Sequence, residues 1–349
     1  MKRMLAAAAA ITLSLAAGSA VAQSRIDWKF QSNVPVNTFF FTSMVKPMAD
    51  NAKMMSAGRL TITGYGADEI VPVFKIHEEV AKGTIEMGWT SAGYLTNTDL
   101  ANVAFSNYPG GPSPEVFMHW YYNGGGKQLW QQYRRENLKV HSMLCGIGTT
   151  EFFAVSTKPV RTKEDLKGLK YRTSGAWAEL LKDVYGAAPV VMAGGELFSA
   201  LERKVIDAVD WAGPGGNIGM GFHKVAKYLI VPGVHQPSSP VECIVNLDAW
   251  NKLPDSDKAI LEASAQLMTF TSYLDTGNED QKAMAEYRKA GNEIVQLDPA
   301  LVADIQAETQ KWLAAKSAGN AWMDKLIKHQ LEYQKTWAGN SYTRAWEKQ

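Results

Sequence analysis

The chain has 349 residues, 46% of them hydrophobic and 20% charged, with a formal net charge of +1 and two cysteines. That length suffices for two lobes, each with its own core. The near-neutral charge leaves no electrostatic footprint for nucleic acid, and two cysteines exclude a disulfide-stapled scaffold.

Lys2 and Arg3, the apolar run from Leu5 to Leu15, and Ala20-Val21-Ala22 read as the three parts of a secretory signal peptide over residues 1–22. The run is too short to span a hydrocarbon core of about 30 Å. No cysteine follows the cleavage point, so no lipid anchor is expected there. No later apolar run approaches the roughly 18 residues a membrane span requires. The expectation is a protein that works outside the cytoplasm.

Ile26 to Gln31 alternates apolar and polar residues, as a half-buried strand does. Phe39 to Lys53 carries Phe40, Met44, Val45 and Met48 at helical spacing. Leu60 to Thr63 alternates again, Val73 to Ala81 reads as helix, and Thr84 to Trp89 as strand. Gly124-Gly125-Gly126 is a turn. Leu169–Thr173 is a strand and Ala176–Tyr185 a helix stopped by Gly186. Ala188–Met192 is a strand, Gly195–Lys204 a helix and Val205–Trp211 a strand. This rhythm predicts α/β lobes with mostly parallel sheets. From Asp255 onward Ser256–Tyr273, Asp280–Glu308 and Ala321–Trp337 read as long amphipathic helices. Cys145 and Cys243 sit in apolar runs. They form either a disulfide, which an oxidising compartment permits, or two buried thiols.

Signatures of catalysis are missing. His77 is followed by Glu78-Glu79, but no second histidine completes an H-E-x-x-H spacing. There is no G-x-S-x-G, no P-loop and no third glycine after Gly64 and Gly66 for a dinucleotide loop. The six histidines show no metal-ligand spacing and read as surface or core residues.

Five segments stand in register. They are Gly66-Ala67-Asp68-Glu69-Ile70-Val71-Pro72, Leu166 to Arg172, Gly195 to Arg203, Asp207 to Pro214, and Pro232-Gly233-Val234-His235-Gln236-Pro237. With them the chain resembles the solute receptors of tripartite ATP-independent periplasmic (TRAP) transporters of the DctP type. The last two segments resemble the branch that binds 2-oxo or 2-hydroxy acids with a metal ion. The resemblance implies a two-lobed α/β periplasmic solute-binding protein with hinge-crossing segments and long C-terminal helices. Lobe 1 would hold residues 23–147 and 238–275, lobe 2 residues 148–237 and 276–320, and residues 321–349 a C-terminal helical tail.

The same resemblance implies that Arg172 grips the ligand carboxylate, which a planar guanidinium does through two parallel hydrogen bonds. The alternative is a surface arginine paired with Asp165. Asp210, the Trp211 carbonyl, Gln236 and Glu151 are the implied metal ligands. Four hard oxygen donors suit Ca²⁺ or Na⁺, and two acids among them favour the divalent ion. Trp89, Tyr94, Trp177 and Trp211, with Phe39 and Phe40, are candidate cavity walls, core packing being the alternative for each. Trp177 and Glu151 depart from the branch's pattern, as do Lys204 and Gly215-Gly216-Asn217.

A hinged trap follows from this reading. Closure is favoured because the ligand binds the closed form better. The partners are a small organic acid and the membrane subunits of a transporter. A homodimer exchanging the C-terminal helix is implied, with a brace across one monomer as the alternative. A sensory receptor of the same fold, a receptor for an aromatic or sulfonated acid, and a secreted enzyme using Glu151 and Asp210 are the competing readings; no catalytic residue is assigned.

Overall fold

The computed structural model describes residues 25–341. The signal-peptide reading of residues 1–22, and the aromatic residues Tyr342 and Trp346, lie outside the described residues. Among the described residues, eleven strands form two sheets. β1 (Ile26–Ser32), β2 (Leu60–Tyr65), β3 (Met87–Thr90), β4 (Val140–Gly148) and β10 (Ser239–Asn246) make the first, in the order β2-β1-β3-β10-β4. The second contains β5 (Ala154–Ser156), β6 (Lys170–Arg172), β7 (Ala188–Val190), β8 (Ala208–Val209), β9 (Tyr228–Val231) and β11 (Glu293–Gln296), in the order β11-β9-β5-β8-β6-β7.

Both sheets are mixed, which corrects the expectation of mostly parallel ones. β10 runs antiparallel to β3 and β4, and β5 runs antiparallel to β8 and β9. Both strands follow segments that cross from one sheet to the other, so their direction is set by the crossing and not by a βαβ return. β4 is buried along its whole length, with β10 against it, and hydrophobic periodicity carries no strand direction.

Each sheet carries its own core. Phe30, Met44, Val45, Met48, Leu60 and Met87 pack under the first sheet. Val155, Leu197, Leu201, Ile206 and Leu229 pack under the second. Burying such side chains is worth about 1.5–3 kcal/mol each. Cys145 and Cys243 form a disulfide joining β4 to β10, with a Cα–Cα distance of 5.3 Å.

The polar stretches after Asp255 divide differently from the expectation. One helix runs unbroken from Asp255 to Ala290 and ends at Gly291, which sits in the left-handed region at φ 79. β11 then interrupts the second expected stretch before the helix Pro299–Ser317 begins. Ile294 and Val295 are β-branched, and Pro299 takes the first helical position, where a missing N–H costs nothing. The helix Ala321–Gly339 follows the expected span and buries Met323, Leu326 and Ile327.

The 36-residue helix ties the two sheets together. Its Thr269 hydroxyl donates to the Leu144 carbonyl of β4 at 2.9 Å, and Ser272 accepts from the Ile147 N–H at 3.0 Å. Three turns on, Asp280 accepts from the Gly215 N–H at 2.7 Å on the side of the second sheet. Three connections therefore pass between the sheets: the turn from β4 to β5, the turn from β9 to β10, and this helix.

Candidate functional site

The parallel pairing of β6 with β8 sets Arg172 opposite Val209, so both strands end at the same edge. Ligands of open α/β sheets sit outside such carboxyl ends. Asp210 follows β8, and its N–H donates to the Arg172 carbonyl at 3.1 Å. Arg172 is buried, 3% exposed. Its Nε and Nη2 donate to the Met192 carbonyl at 3.0 and 2.9 Å. Its Nη1 donates to the Asp210 carbonyl at 2.8 Å and reaches Asp210 Oδ1 at 3.5 Å. The Trp211 ring packs under the guanidinium, 5.3 Å from its carbon. Asp165, the alternative partner for Arg172, instead caps the helix Lys163–Leu166.

The Asp210 carboxylate accepts from Thr173 Oγ1 at 2.6 Å and lies 3.1 Å from His235 Nε2. Glu151 arrives from the β4–β5 turn, and Ser239 Oγ donates to its Oε1 at 2.6 Å. The two turns that cross between the sheets meet here, where the Glu151 N–H donates to the Gln236 carbonyl at 3.2 Å. A Cβ on Gly233 would stand 1.9 Å from the Glu151 carbonyl oxygen, so only glycine allows this approach. Gln236 commits its amide nitrogen to the Ser106 and Ser238 carbonyls at 2.6 and 2.8 Å. Its Oε1 is the atom left for a ligand.

Glu151, Asp210 and His235 each bring one ligand atom into a group whose members lie within 4.8 Å of one another. Burial first, and the Asp210 charge second, push the Glu151 carboxyl up to about 7, against His235, Ser239 and Arg172, which pull it down. Two acids forced together in a dry wall fit a hard cation, which would relieve their mutual repulsion. Neither ring nitrogen of His235 makes a well-directed hydrogen bond, although the ring is 1% exposed.

A cavity of about 120 Å³ opens between the two sheets, lined by Glu151, Arg172, Asp210, Trp211 and Gln236 from one side and by Trp89 and Tyr94 from the other. Phe40 lines it too. Burial raises the Tyr94 hydroxyl above its ordinary pKa, and the Arg172 charge opposes the shift. Trp177 is a correction. It lies outside the cavity wall, 2% exposed, with its ring 5.4 Å from Phe153, 5.6 Å from Tyr185 and 6.0 Å from His235. One turn into its helix, it faces the core and backs His235. Phe39 stands against Phe40, away from the wall.

Sequence reasoning passed over His235, one residue before Gln236, because its spacing to other histidines carried no signal. Asn33 and Ser106 were also passed over. Both line the cavity with a buried side-chain oxygen that has no hydrogen-bond partner, as do Trp89 Nε1, Trp211 Nε1 and Thr276 Oγ1.

The comparisons with known proteins agree with this architecture. A monocarboxylate 2-oxoacid-binding periplasmic protein of Nostoc is 30% identical over 239 residues, which cover 68% of this chain and 65% of that protein. The match thus leaves about a third of that relative unspanned. A TRAP periplasmic solute-binding protein of Pseudoalteromonas atlantica, solved with bound sodium and pyruvate, superposes with a TM-score of 0.88 at 27% identity, covering 93% of this chain and 99% of that one. One of Colwellia psychrerythraea, solved with bound calcium and pyruvate, gives the same TM-score, identity and coverage. No helix among the described residues is long and apolar enough to cross a membrane. Residues 30–318 match the family model of the bacterial extracellular solute-binding proteins, family 7 (DctP), and the chain belongs to that family.

Proposed function

We propose that this chain is the periplasmic substrate-binding subunit of a TRAP transporter, which captures a small 2-oxo or 2-hydroxy monocarboxylate together with Ca²⁺ or Na⁺ and delivers it to the membrane permease. One observation carries the reading: a buried arginine and a pair of crowded acids line the same cavity between two sheets. The relatives bound to pyruvate with sodium or calcium support the ligand class and the ion.

In this reading Arg172 holds the ligand carboxylate. Asp210, Glu151, Gln236 and the Trp211 carbonyl hold the ion, with His235 beside them. The ion, when bound, supplies positive charge to the 2-oxygen of the acid and neutralises the two carboxylates. The lobes are residues 23–147 with 238–275 and residues 148–237 with 276–320, turning about the two crossing segments and the long helix. Trp89 and Tyr94 close over the ligand from lobe 1. Closure draws on the differential affinity of the ligand for the closed form.

Self-association belongs to the same reading. Leu267, Phe270 and Leu274 stand at i, i+3 and i+7 on the solvent side of the long helix, 44%, 45% and 70% exposed. Phe270 also stacks on Tyr122 of the same chain at 5.5 Å, and the homodimer belonging to this reading would use this stripe beside an exchanged C-terminal helix.

A thermal-shift screen of organic acids, with and without Ca²⁺, tests the reading. A ligand that binds only the folded state raises its stability by about 2.7 kcal/mol at a hundred times Kd. Small 2-oxo or 2-hydroxy monocarboxylates are expected to raise the melting temperature in Ca²⁺, and to be recovered unchanged. No shift with any acid, or turnover of the acid, defeats it.

A further inference from the structure

The wall opposite Arg172 is polar as well. β1 and β3 run parallel, with Ser32 opposite Trp89, and the Asn33 N–H donates to the Trp89 carbonyl at 3.1 Å. Asn33 and Trp89 thus stand at neighbouring strand ends, on the carboxyl edge of the first sheet. Both line the cavity and both are buried, 5% and 2% exposed. Yet Asn33 Oδ1 has no donor and Trp89 Nε1 has no acceptor. Buried polar groups are normally paired, and an orphan costs more than an ordinary hydrogen bond gains. Ser106 Oγ, Trp211 Nε1 and Thr276 Oγ1 are orphaned on residues of the same cavity wall, but only Asn33 and Trp89 stand at these two adjacent strand ends, whereas Thr61 Oγ1 and Tyr171 OH belong to residues outside the lining. Here an acceptor and a donor on residues at adjacent strand ends line one ligand space.

Resting on the ligand class proposed above, we infer that Asn33 and Trp89 form a subsite for a hydroxyl group on the ligand, remote from the carboxylate held by Arg172. A hydroxyl is the small neutral group that satisfies both at once. It donates to Asn33 Oδ1 and accepts from Trp89 Nε1. A methyl or methylene at this place satisfies neither. The preferred acid is therefore a hydroxylated 2-oxo or 2-hydroxy acid and not its deoxy counterpart. Sites that hydrogen-bond a substrate hydroxyl discriminate strongly against the analogue lacking it, because their own polar groups are then left buried and unpaired.

Calorimetric titration in Ca²⁺ of three matched pairs tests this: hydroxypyruvate against pyruvate, glycerate against lactate, and 4-hydroxy-2-oxobutyrate against 2-oxobutyrate. The hydroxylated member of at least one pair is expected to bind at least about tenfold more tightly. Trp89→Phe keeps an aromatic ring and removes the N–H, and Asn33→Val keeps bulk and removes the acceptor. Each is expected to bring that ratio within about threefold, whatever it does to the affinity for the deoxy acid. Deoxy acids that bind as tightly as their partners in all three pairs overturn the inference and leave the transport reading standing. A preference that survives in both variants overturns the assignment to Asn33 and Trp89. No binding by any of the six acids overturns both readings together.

Discussion

Replacing Arg172 probes the carboxylate grip, and its magnitude follows from counting donors. A guanidinium has five N–H groups. Nε and Nη2 each give one to the Met192 carbonyl, and Nη1 gives one to the Asp210 carbonyl. The second Nη2 hydrogen has no carbonyl or carboxylate partner, and the second on Nη1 is drawn only weakly to Asp210 Oδ1 at 3.5 Å, with the Tyr94 hydroxyl hydrogen-bonding to the same guanidinium. These two are the donors for a bidentate carboxylate. Each hydrogen bond to a charged group is worth about 1.5–3 kcal/mol. Arg172→Ala loses both, about 3–6 kcal/mol, which at 1.4 kcal/mol per tenfold weakens binding about a hundredfold to ten-thousandfold. Arg172→Lys keeps the charge but not the fork, and is expected to fall between, at roughly ten- to hundredfold. Calorimetry with pyruvate in Ca²⁺ reads both, and circular dichroism establishes that each variant folds. A folded Arg172→Ala protein that binds within threefold of the wild type refutes the role.

Three further outcomes follow from other parts of the molecule. The Cys145–Cys243 disulfide closes a loop of sequence separation 98, so a Cys145→Ala, Cys243→Ala double variant is expected to lose about 2–4 kcal/mol in urea titration; an unchanged midpoint contradicts this. Glu242 is buried beneath β10, where Arg134 donates to it at 2.9 and 2.7 Å and His77 lies at 3.0 Å. Burial alone would raise its carboxyl, but Arg134 and His77 overcome that and hold it well below its ordinary 4.5. Burial holds the His77 imidazole below its ordinary 6.5, outweighing Glu242. In both cases the unfolded chain takes up the proton first, so the contribution of this pair is full above about pH 6.5 and falls with acid, most steeply below about pH 4.5, whereas Glu151, pushed up to about 7, adds stability as pH falls through 7 and opposes the loss above pH 4.5. Melting temperatures from pH 8 to 3.5 should show this, with a shallower acid limb in Glu242→Gln; a flat profile contradicts it. Phe270→Glu is expected to turn a dimer into a monomer by sedimentation while leaving the affinity for pyruvate unchanged, and a wild type that is already monomeric contradicts the assembly reading.

Much of the molecule was legible because local chemistry and tertiary placement agree. The strands Lys170–Arg172 and Ala208–Val209 lie inside two of the five motif segments, and their parallel pairing brings Arg172 and Asp210 together. Cavity walls at Trp89 and Tyr94 were legible for the same reason, since Trp89 lies near the carboxyl end of β3 and Tyr94 just beyond it. Features created by long-range crossings were not. Glu151 and Gln236, grouped beforehand only through the family resemblance, meet because two inter-sheet turns touch at Gly233. The antiparallel run of β10 and β5 has no signature in periodicity. Trp177 misled because an aromatic residue beside a binding motif reads as a wall, whereas its helix turns it inward onto Phe153 and His235. Asn33 gave no signal, because a polar residue at a strand end is ordinary until its neighbours prove unable to pair with it.

The central claim is that one cavity captures a small acid through Arg172 and a cation held by Glu151 and Asp210. Titration of pyruvate into the protein by calorimetry, once in Ca²⁺ and once in excess chelator without sodium, tests it most directly. Binding that is tight with the ion and at least about a hundredfold weaker without it, the scale of losing about 2.7 kcal/mol, is the predicted result. Equal affinity in the two titrations contradicts the account.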